Sequence, residues 1–279
     1  MKKQTTTPFV KWAGGKTQLL DRLWERTPNS FNTYYEPFVG AGALLLYLKP
    51  KKAVINDINE QLINVYRQLQ VDTRPIIRII TDLDKKDCDK DFYLSMRAEY
   101  NKKISNHELD AECAAYMIWM NKHCFNGLYR VNSKGLFNVP WNNKQSGKSI
   151  DEANIMSIAY YLQENDVTIL CGDFEDACKD ATPKDFVYFD SPYVPVTQTA
   201  SFTDYTKDGF SYEEHVRLSE LYKRLAGHGV KCMLSNHDVE LVRELYDGFT
   251  IESTDVKRMI NSNAKKRTGK EVIITNYEV

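Results

Sequence analysis

The side chains best suited to chemistry fall in one run, Val187-Tyr188-Phe189-Asp190-Ser191-Pro192-Tyr193. An apolar, β-prone stretch ends there in a carboxylate, a small residue, a proline and an aromatic ring. A buried strand that stops this way presents its last side chains at the carboxyl edge of a sheet, where ligands of open α/β folds sit. One carboxylate, one backbone carbonyl pushed toward extended geometry by the following proline and one ring suit a flat, amine-bearing substrate such as a nucleobase. A capped Ser-Pro turn would use the same residues, so the motif needs support from the rest of the chain.

Three further stretches bear on it. Val10-Lys11-Trp12-Ala13-Gly14-Gly15-Lys16-Thr17 precedes a helical pattern over Gln18–Arg26. Gly15-Lys16-Thr17 is not a phosphate-binding loop, because that motif needs glycine where Val10 stands. Backbone N–H groups ahead of a helix could still receive a carboxylate, with Lys16 beside it; a plain tight turn is the alternative. Tyr34 to Leu48 reads as strand, glycine turn and apolar helix. The dinucleotide fingerprint would want glycine at Leu45, which disfavours a nicotinamide cofactor. Strand, Gly40-Ala41-Gly42 and helix, followed by a second strand ending in Asn56-Asp57, still suit a nucleoside whose ribose hydroxyls meet Asp57. A helix cap is the competing role for Asp57. Val167-Thr168-Ile169-Leu170-Cys171-Gly172-Asp173-Phe174 ends likewise. Asp173 could accept from an adenine amino group and Phe174 could stack on the ring, or Asp173 could cap the next helix.

The elements that must position these groups are strand–helix units at both ends of the chain, with helices between. Helical patterns cover Gln61–Gln70, Pro75–Leu83, Phe92–Lys103 and Glu108–Asn121, with Asp82–Asp91 a charged linker. A helical block interrupting strand–helix alternation reads as an inserted domain. Cys113 to Ile150 contains no acid but Lys122, Arg130, Lys134, Lys144 and Lys148, the local imbalance that phosphate contacts need. Within it Phe125 to Pro140 reads as a β-hairpin turning near Ser133-Lys134-Gly135. Asn and Arg side chains read base edges in the major groove, and apolar ones touch the thymine methyl; Phe125 could wedge into a base stack. An amphipathic hairpin with a basic outer face is the alternative. Toward the C-terminus, Val194–Tyr205 reads as a loop, Tyr212–Ala226 as a helix, Gly229–Asn236 as a strand and Val239–Tyr246 as a helix. Phe249–Thr254 and Val272–Tyr277 form a closing antiparallel pair. Val256 to Lys270 is a second acid-free basic stretch.

The totals bound the class. The 279 residues carry a net charge of −1, with 42% hydrophobic and 12% aromatic residues. That suffices for one large α/β domain plus an insert, and argues against DNA binding by bulk charge alone. Six cysteines without a C-x-x-C pair or histidine companions argue against zinc and a disulfide framework, and fit a reducing, cytoplasmic setting. No apolar run is long enough to span a bilayer.

Taken together, Lys11-Trp12-Ala13-Gly14-Gly15-Lys16, Glu36-Pro37-Phe38-Val39-Gly40-Ala41-Gly42, Asn56-Asp57, Gly172-Asp173-Phe174, Asp190-Ser191-Pro192-Tyr193 and Asn126-Gly127-Leu128-Tyr129-Arg130 resemble the Dam-type (DpnII-like) DNA adenine N6-methyltransferases over nearly the whole chain. The resemblance implies a Rossmann-like methyltransferase sheet (1–58 and 166–279) with a mainly helical target-recognition domain (59–165) carrying the hairpin. It implies S-adenosylmethionine as cofactor, met by Trp12, Ala13, Gly14, Lys16, Glu36, Pro37, Phe38, Gly40, Asp57, Asp173, Phe174 and Asp190. It implies that Asp190, Ser191, Pro192 and Tyr193 hold a flipped adenine, and that Lys11, Phe125, Asn126, Leu128, Arg130, Asn132 and Pro140 meet duplex DNA at GATC or a related site. No metal is called for. A monomer on DNA, acting in the cytoplasm either alone or beside a cognate restriction endonuclease that it need not touch, fits the same likeness. Two departures stand out: Ser191 replaces the family's usual first proline, and Trp141-Asn142-Asn143-Lys144 replaces its usual Gly-Arg-Tyr-type continuation. A cytosine N4-methyltransferase and a catalytically silent DNA-binding regulator are the rivals; Asp190 in place of a leading serine disfavours the first.

Overall fold

The computed structural model describes residues 6–16, 18–194, 210–257 and 268–278. Strands and helices alternate at the start: α1 (Leu20–Arg26), β1 (Tyr34–Glu36), α2 (Ala43–Leu48) and β2 (Lys52–Asp57). Helices then follow without a strand: α3 (Glu60–Val71), α4 (Arg74–Asp84), α5 (Lys90–Ser105), α6 (Ala111–His123) and, past a 3-10 turn at Phe125–Gly127, α7 (Glu152–Glu164). Alternation resumes with β3 (Asp166–Cys171), α8 (Phe174–Cys178), β4 (Phe186–Phe189), α9 (Tyr212–Gly227), β5 (Lys231–His237), α10 (Glu240–Leu245), β6 (Thr250–Lys257) and β7 (Thr268–Thr275).

The described strands form one seven-stranded sheet in the order β3-β2-β1-β4-β5-β7-β6. β2, β1, β4 and β5 run parallel, and β7 is antiparallel to both its neighbours. The fold is therefore mixed α/β with a mostly parallel centre, as a Rossmann-like methyltransferase requires. From β1 the chain proceeds outward through β2 to β3, whereas β4 lies on the other side of β1. The adjacent carboxyl ends of β1 and β4 are thus the topological switch point, where open α/β sheets bind ligands.

Two compact units are distinguishable, 1–15 with 40–51 and 57–171, and 16–39 with 52–56 and 172–279. In the first, α3, α4, α5, α6 and α7 bury Leu62, Tyr66, Ile80, Tyr93, Tyr100, Trp119 and Ile158. Side-chain caps start these helices: Asn59 accepts from Leu62 N–H, Asp89 from Phe92 N–H, Asp110 from Cys113 N–H and Asp151 from Asn154 N–H. In the second unit Val187, Phe189, Leu218, Tyr222, Cys232, Leu234, Val272 and Ile274 form the core.

Several expectations shift. The helix expected from Gln18 begins at Leu20, behind an N-cap residue with no side-chain cap, so Gly14 and Gly15 do not lie at its dipole end. Asn59, not Asp57, caps α3. The Asp82–Asp91 linker is shorter than its charge pattern implied, since α4 runs to Asp84 and α5 starts at Lys90. The hairpin does not form regular strands: its β pairing is two isolated bridges, Val131 with Phe137 and Cys124 with Trp141. Most of the 194–205 loop and of the 256–270 basic stretch lies outside the described residues.

Candidate active site

Asp190 follows the last residue of β4, a strand buried along its whole length. The Lys16 ammonium, itself only 2% exposed, ion-pairs with Asp190 Oδ1. Ser235 on β5 donates to the same oxygen at 3.5 Å. Burial pushes the Asp190 carboxyl above the usual carboxylate range, and the Lys16 charge works against that shift. Lys16 also lies 4.3 Å from the centroid of the Tyr193 ring. The other face of the motif is fixed by Asn236, a buried β5 residue. Its amide donates to Ser191 Oγ at 3.3 Å and accepts from Val194 N–H at 3.0 Å. Tyr193 packs on His237 with ring centroids 4.2 Å apart. The turn is therefore held from β5, and Ser191 gains an anchor that proline could not have used.

At the neighbouring strand end, Glu36 is buried and accepts from Tyr34 Oη at 2.8 Å. Asn56, also buried, donates to Pro37 O at 3.0 Å and Gly172 O at 2.9 Å. One side chain thus ties together the turns after β1 and β3. Phe38 packs on Phe174 with centroids 5.2 Å apart. Asp173 caps α8 through Oδ1, accepting from Glu175 N–H at 2.8 Å, while Oδ2 pairs with Arg217. The capping role is real, but it uses one oxygen only.

Within the other unit, Asp57 Oδ2 accepts from Gly40 N–H at 3.0 Å and Oδ1 from Asn59 N–H at 2.9 Å. Burial pushes this carboxyl up, and those N–H groups oppose the shift. Gly40 (φ +49°) has no room for a side chain, since a Cβ would meet the Trp12 ring at 2.9 Å. At Gly42 (φ +69°) it would meet the Tyr66 hydroxyl at 2.5 Å. The left-handed geometry and the close approach both demand glycine there. Trp12 in turn stacks on Tyr129, with centroids 5.3 Å apart. Ala13 and Gly14 lie exposed in the turn closed by Gly15 N–H to Trp12 O.

Most DNA candidates are exposed. Phe125 is 51% exposed, and Lys11, Asn126, Leu128, Arg130, Asn132 and Pro140 are exposed too. Asn126 holds a left-handed backbone at φ +57°. The Arg130 guanidinium is oriented by Asn138, Nε to Oδ1 at 2.7 Å. Asn132 is committed to the turn, accepting from Lys134 N–H and Leu136 N–H. Buried Asn121 donates to Lys11 O and Gly127 O, both at 2.9 Å, joining the N-terminal arm to the hairpin base. Sequence reasoning assigned no role to Asn56, Asn121, Ser235 or Asn236, and it missed Arg217.

Comparison with known proteins agrees with this chemistry. The family described as D12 class N6 adenine-specific DNA methyltransferase matches residues 12–260. A type II methyltransferase, M1.LlaDCHI of Lactococcus lactis subsp. cremoris, is 44% identical over 97% of this chain and 95% of its own length. M.MjaIII of Methanocaldococcus jannaschii, also a type II methyltransferase, is 40% identical over 97% and 99%. The DNA adenine methylase of Escherichia coli K12 is 31% identical over 97% and 95%. Methyltransferases of this kind draw their methyl group from S-adenosylmethionine, and DNA is the substrate. With a carboxylate at the switch-point strand end and a family match over most of its length, the chain belongs to the D12 class of N6 adenine-specific DNA methyltransferases.

Proposed function

We propose that the chain methylates N6 of an adenine turned out of the duplex, within GATC or a closely related site. The observation that carries this reading is Asp190 at the switch-point end of β4, where among the described residues Lys16 and Ser235 both meet Oδ1. Oδ2 then serves one adenine N–H and the Ser191 carbonyl the other. Accepting a hydrogen bond from each N–H favours a pyramidal nitrogen, whose lone pair is otherwise spread into the ring; N6 takes the methyl as its bond to sulfur breaks, and then sheds one proton. Positioning and fixed hydrogen-bond acceptors supply the acceleration. Because N6 lies inside the base stack, the base must be everted, and Tyr193 offers a ring to stack on it.

S-adenosylmethionine supplies the electrophilic methyl. The residues present fit it in kind: Phe38 and Phe174 are an aromatic pair beside the Asp173 carboxylate, the ring and acceptor that adenine needs, with Arg217 now against both Phe174 and Asp173. Asp57 is assigned to the ribose. Lys16 and the Trp12-Ala13-Gly14 turn are assigned to the carboxylate end, and Glu36, Pro37 and Gly40 are assigned to the cofactor as well. Residues 1–58 and 166–279 are assigned to catalysis and 59–165 to target recognition.

Support for the GATC reading comes from Asn126, Leu128, Arg130 and Pro140, each exposed and each a residue that the resemblance assigns to DNA. Phe125 is the wedge, and Lys11 and Asn132 flank the duplex. We assign the protein to the DNA-containing compartment, the cytoplasm, as a monomer on DNA that is either solitary or the modifying partner of a restriction endonuclease. Mass spectrometry of nucleosides from treated duplexes tests the reading. N6-methyladenine is expected in a GATC duplex and to fall sharply in singly substituted ones. Equal methylation of all duplexes would overturn the site assignment, and N4-methylcytosine would overturn the chemistry.

A further inference from the structure

The groups assigned to the cofactor's adenine are engaged by the chain itself. Arg217, on α9, ion-pairs with Asp173 Oδ2 and sets its guanidinium carbon 4.3 Å from the centroid of the Phe174 ring. Phe174 is only 4% exposed. Phe38 packs against the same ring, so a base can stack on Phe174 only by displacing a neighbour. Phe38 is fixed by further contact with Phe210, centroids 5.6 Å apart. Arg217 is the movable one: its side chain is 36% exposed and sits on a long flexible stem.

The guanidinium resembles the edge of adenine that Asp173 would read. Both are planar, both present N–H donors to a carboxylate, and both are attracted to an aromatic face. Yet Arg217 does not complete its own hydrogen bonding. Its Nε is buried and makes no hydrogen bond among the described residues; Glu175 lies 3.7 Å away. A ligand that replaces it on Phe174 therefore displaces an incompletely satisfied group, which can turn toward Glu214, already 3.4 Å away.

We propose that Arg217 is an internal competitor for the adenine of the cofactor, and so sets the chain's affinity for adenosyl ligands. This rests on the assignment of Asp173 and Phe174 to that adenine. The stacked cation and the half-exposed ion pair are each modest interactions, so removing them should tighten binding about tenfold. Calorimetric titration with S-adenosylhomocysteine, and separately with adenosine, tests it on the full chain. Arg217→Ala and Arg217→Gln should both bind about tenfold more tightly than the parent, with the gain retained for adenosine. Thermal melting of each variant confirms the fold, and Arg217→Gln serves if Arg217→Ala does not fold. Equal or weaker binding by a folded variant overturns the proposal. Phe174→Ala separates the two layers. If it weakens binding while the Arg217 variants gain nothing, only the competitor role fails. If it leaves affinity unchanged, the adenine assignment fails and the competitor role with it.

Discussion

The two functional regions are built in opposite ways. Asp190 to Val194 is a short turn pinned from several sides: Lys16 and Ser235 on the carboxylate, Asn236 on Ser191 and Val194, His237 against Tyr193. The Phe125–Trp141 hairpin is anchored at its base and along one edge. Asn121 holds the base. Asn101 exchanges bonds with Phe137, and Tyr93 donates to Val139 O. Beyond Val131, only the Asn132 turn shapes it. Its outward residues, Phe125, Leu128 and Arg130, face solvent. Methyl transfer needs acceptors fixed before the substrate arrives, whereas groove reading needs side chains free to reach base edges. In the proposed function the rigid region would carry the chemistry and the open one the choice of sequence.

That contrast is sharpest where the carboxylate is removed. Asp190→Ala should lower single-turnover transfer by about 1000-fold or more, since even one aimed hydrogen-bonding group is worth ~10²–10³. DNA binding by the hairpin should survive, as a gel-shift titration would register. Asn236→Ala loosens the same turn without touching the reacting group. A misplacement of about 1 Å costs up to ~100-fold, so kcat should fall by tens of fold while KM for DNA hardly moves. A second change, Ser191→Pro, should recover part of the loss by stiffening the turn. If Asn236→Ala raises KM alone, the pinning argument fails. On the open side, Arg130→Ala should cost roughly 1–3 kcal/mol of discrimination at one base pair. Rates on singly substituted duplexes check this, and kcat on the preferred site should change little.

A separate effect concerns stability. Burial holds His215 at a pKa of about 4, below its usual value of 6.5, with Nε2 lacking a hydrogen-bond partner among the described residues. The unfolded chain binds this proton first as pH falls. Stability is therefore unaffected above about pH 6.5 and is lost progressively toward and below pH 4, by roughly 3 kcal/mol in total. His215→Phe should flatten the melting temperature across that window; an unchanged slope would show that other groups dominate.

Much of this was legible before any coordinates. Strand ends are readable because an apolar run stopping in a polar residue is a local signal, and Asp57, Asp173 and Asp190 all stand at such ends. α3, α4, α5 and α6 carried their apolar spacing openly. α7 passed unnoticed although Ile155, Ile158, Ala159 and Leu162 have helical spacing. Met156 and Tyr160, 50% and 67% exposed, put apolar residues on its outer face and blur the stripe. The asparagines that hold the site were not legible in any role. Asn56, Asn121 and Asn236 bond to backbone or side chains remote in sequence, and such bonds leave no periodicity. Nor could composition show that Lys16 would be buried against Asp190, since a lysine's burial depends on a partner 174 residues away.

If the carboxylate end of β4 cannot move, the base must come to it. A GATC duplex with 2-aminopurine in place of the target adenine reads this directly, because that fluorophore brightens when it leaves the base stack. On titration with this chain and S-adenosylhomocysteine, fluorescence should rise several-fold at the target position and stay flat when the label sits at the neighbouring position. Saturated binding with no rise at the target would contradict the account.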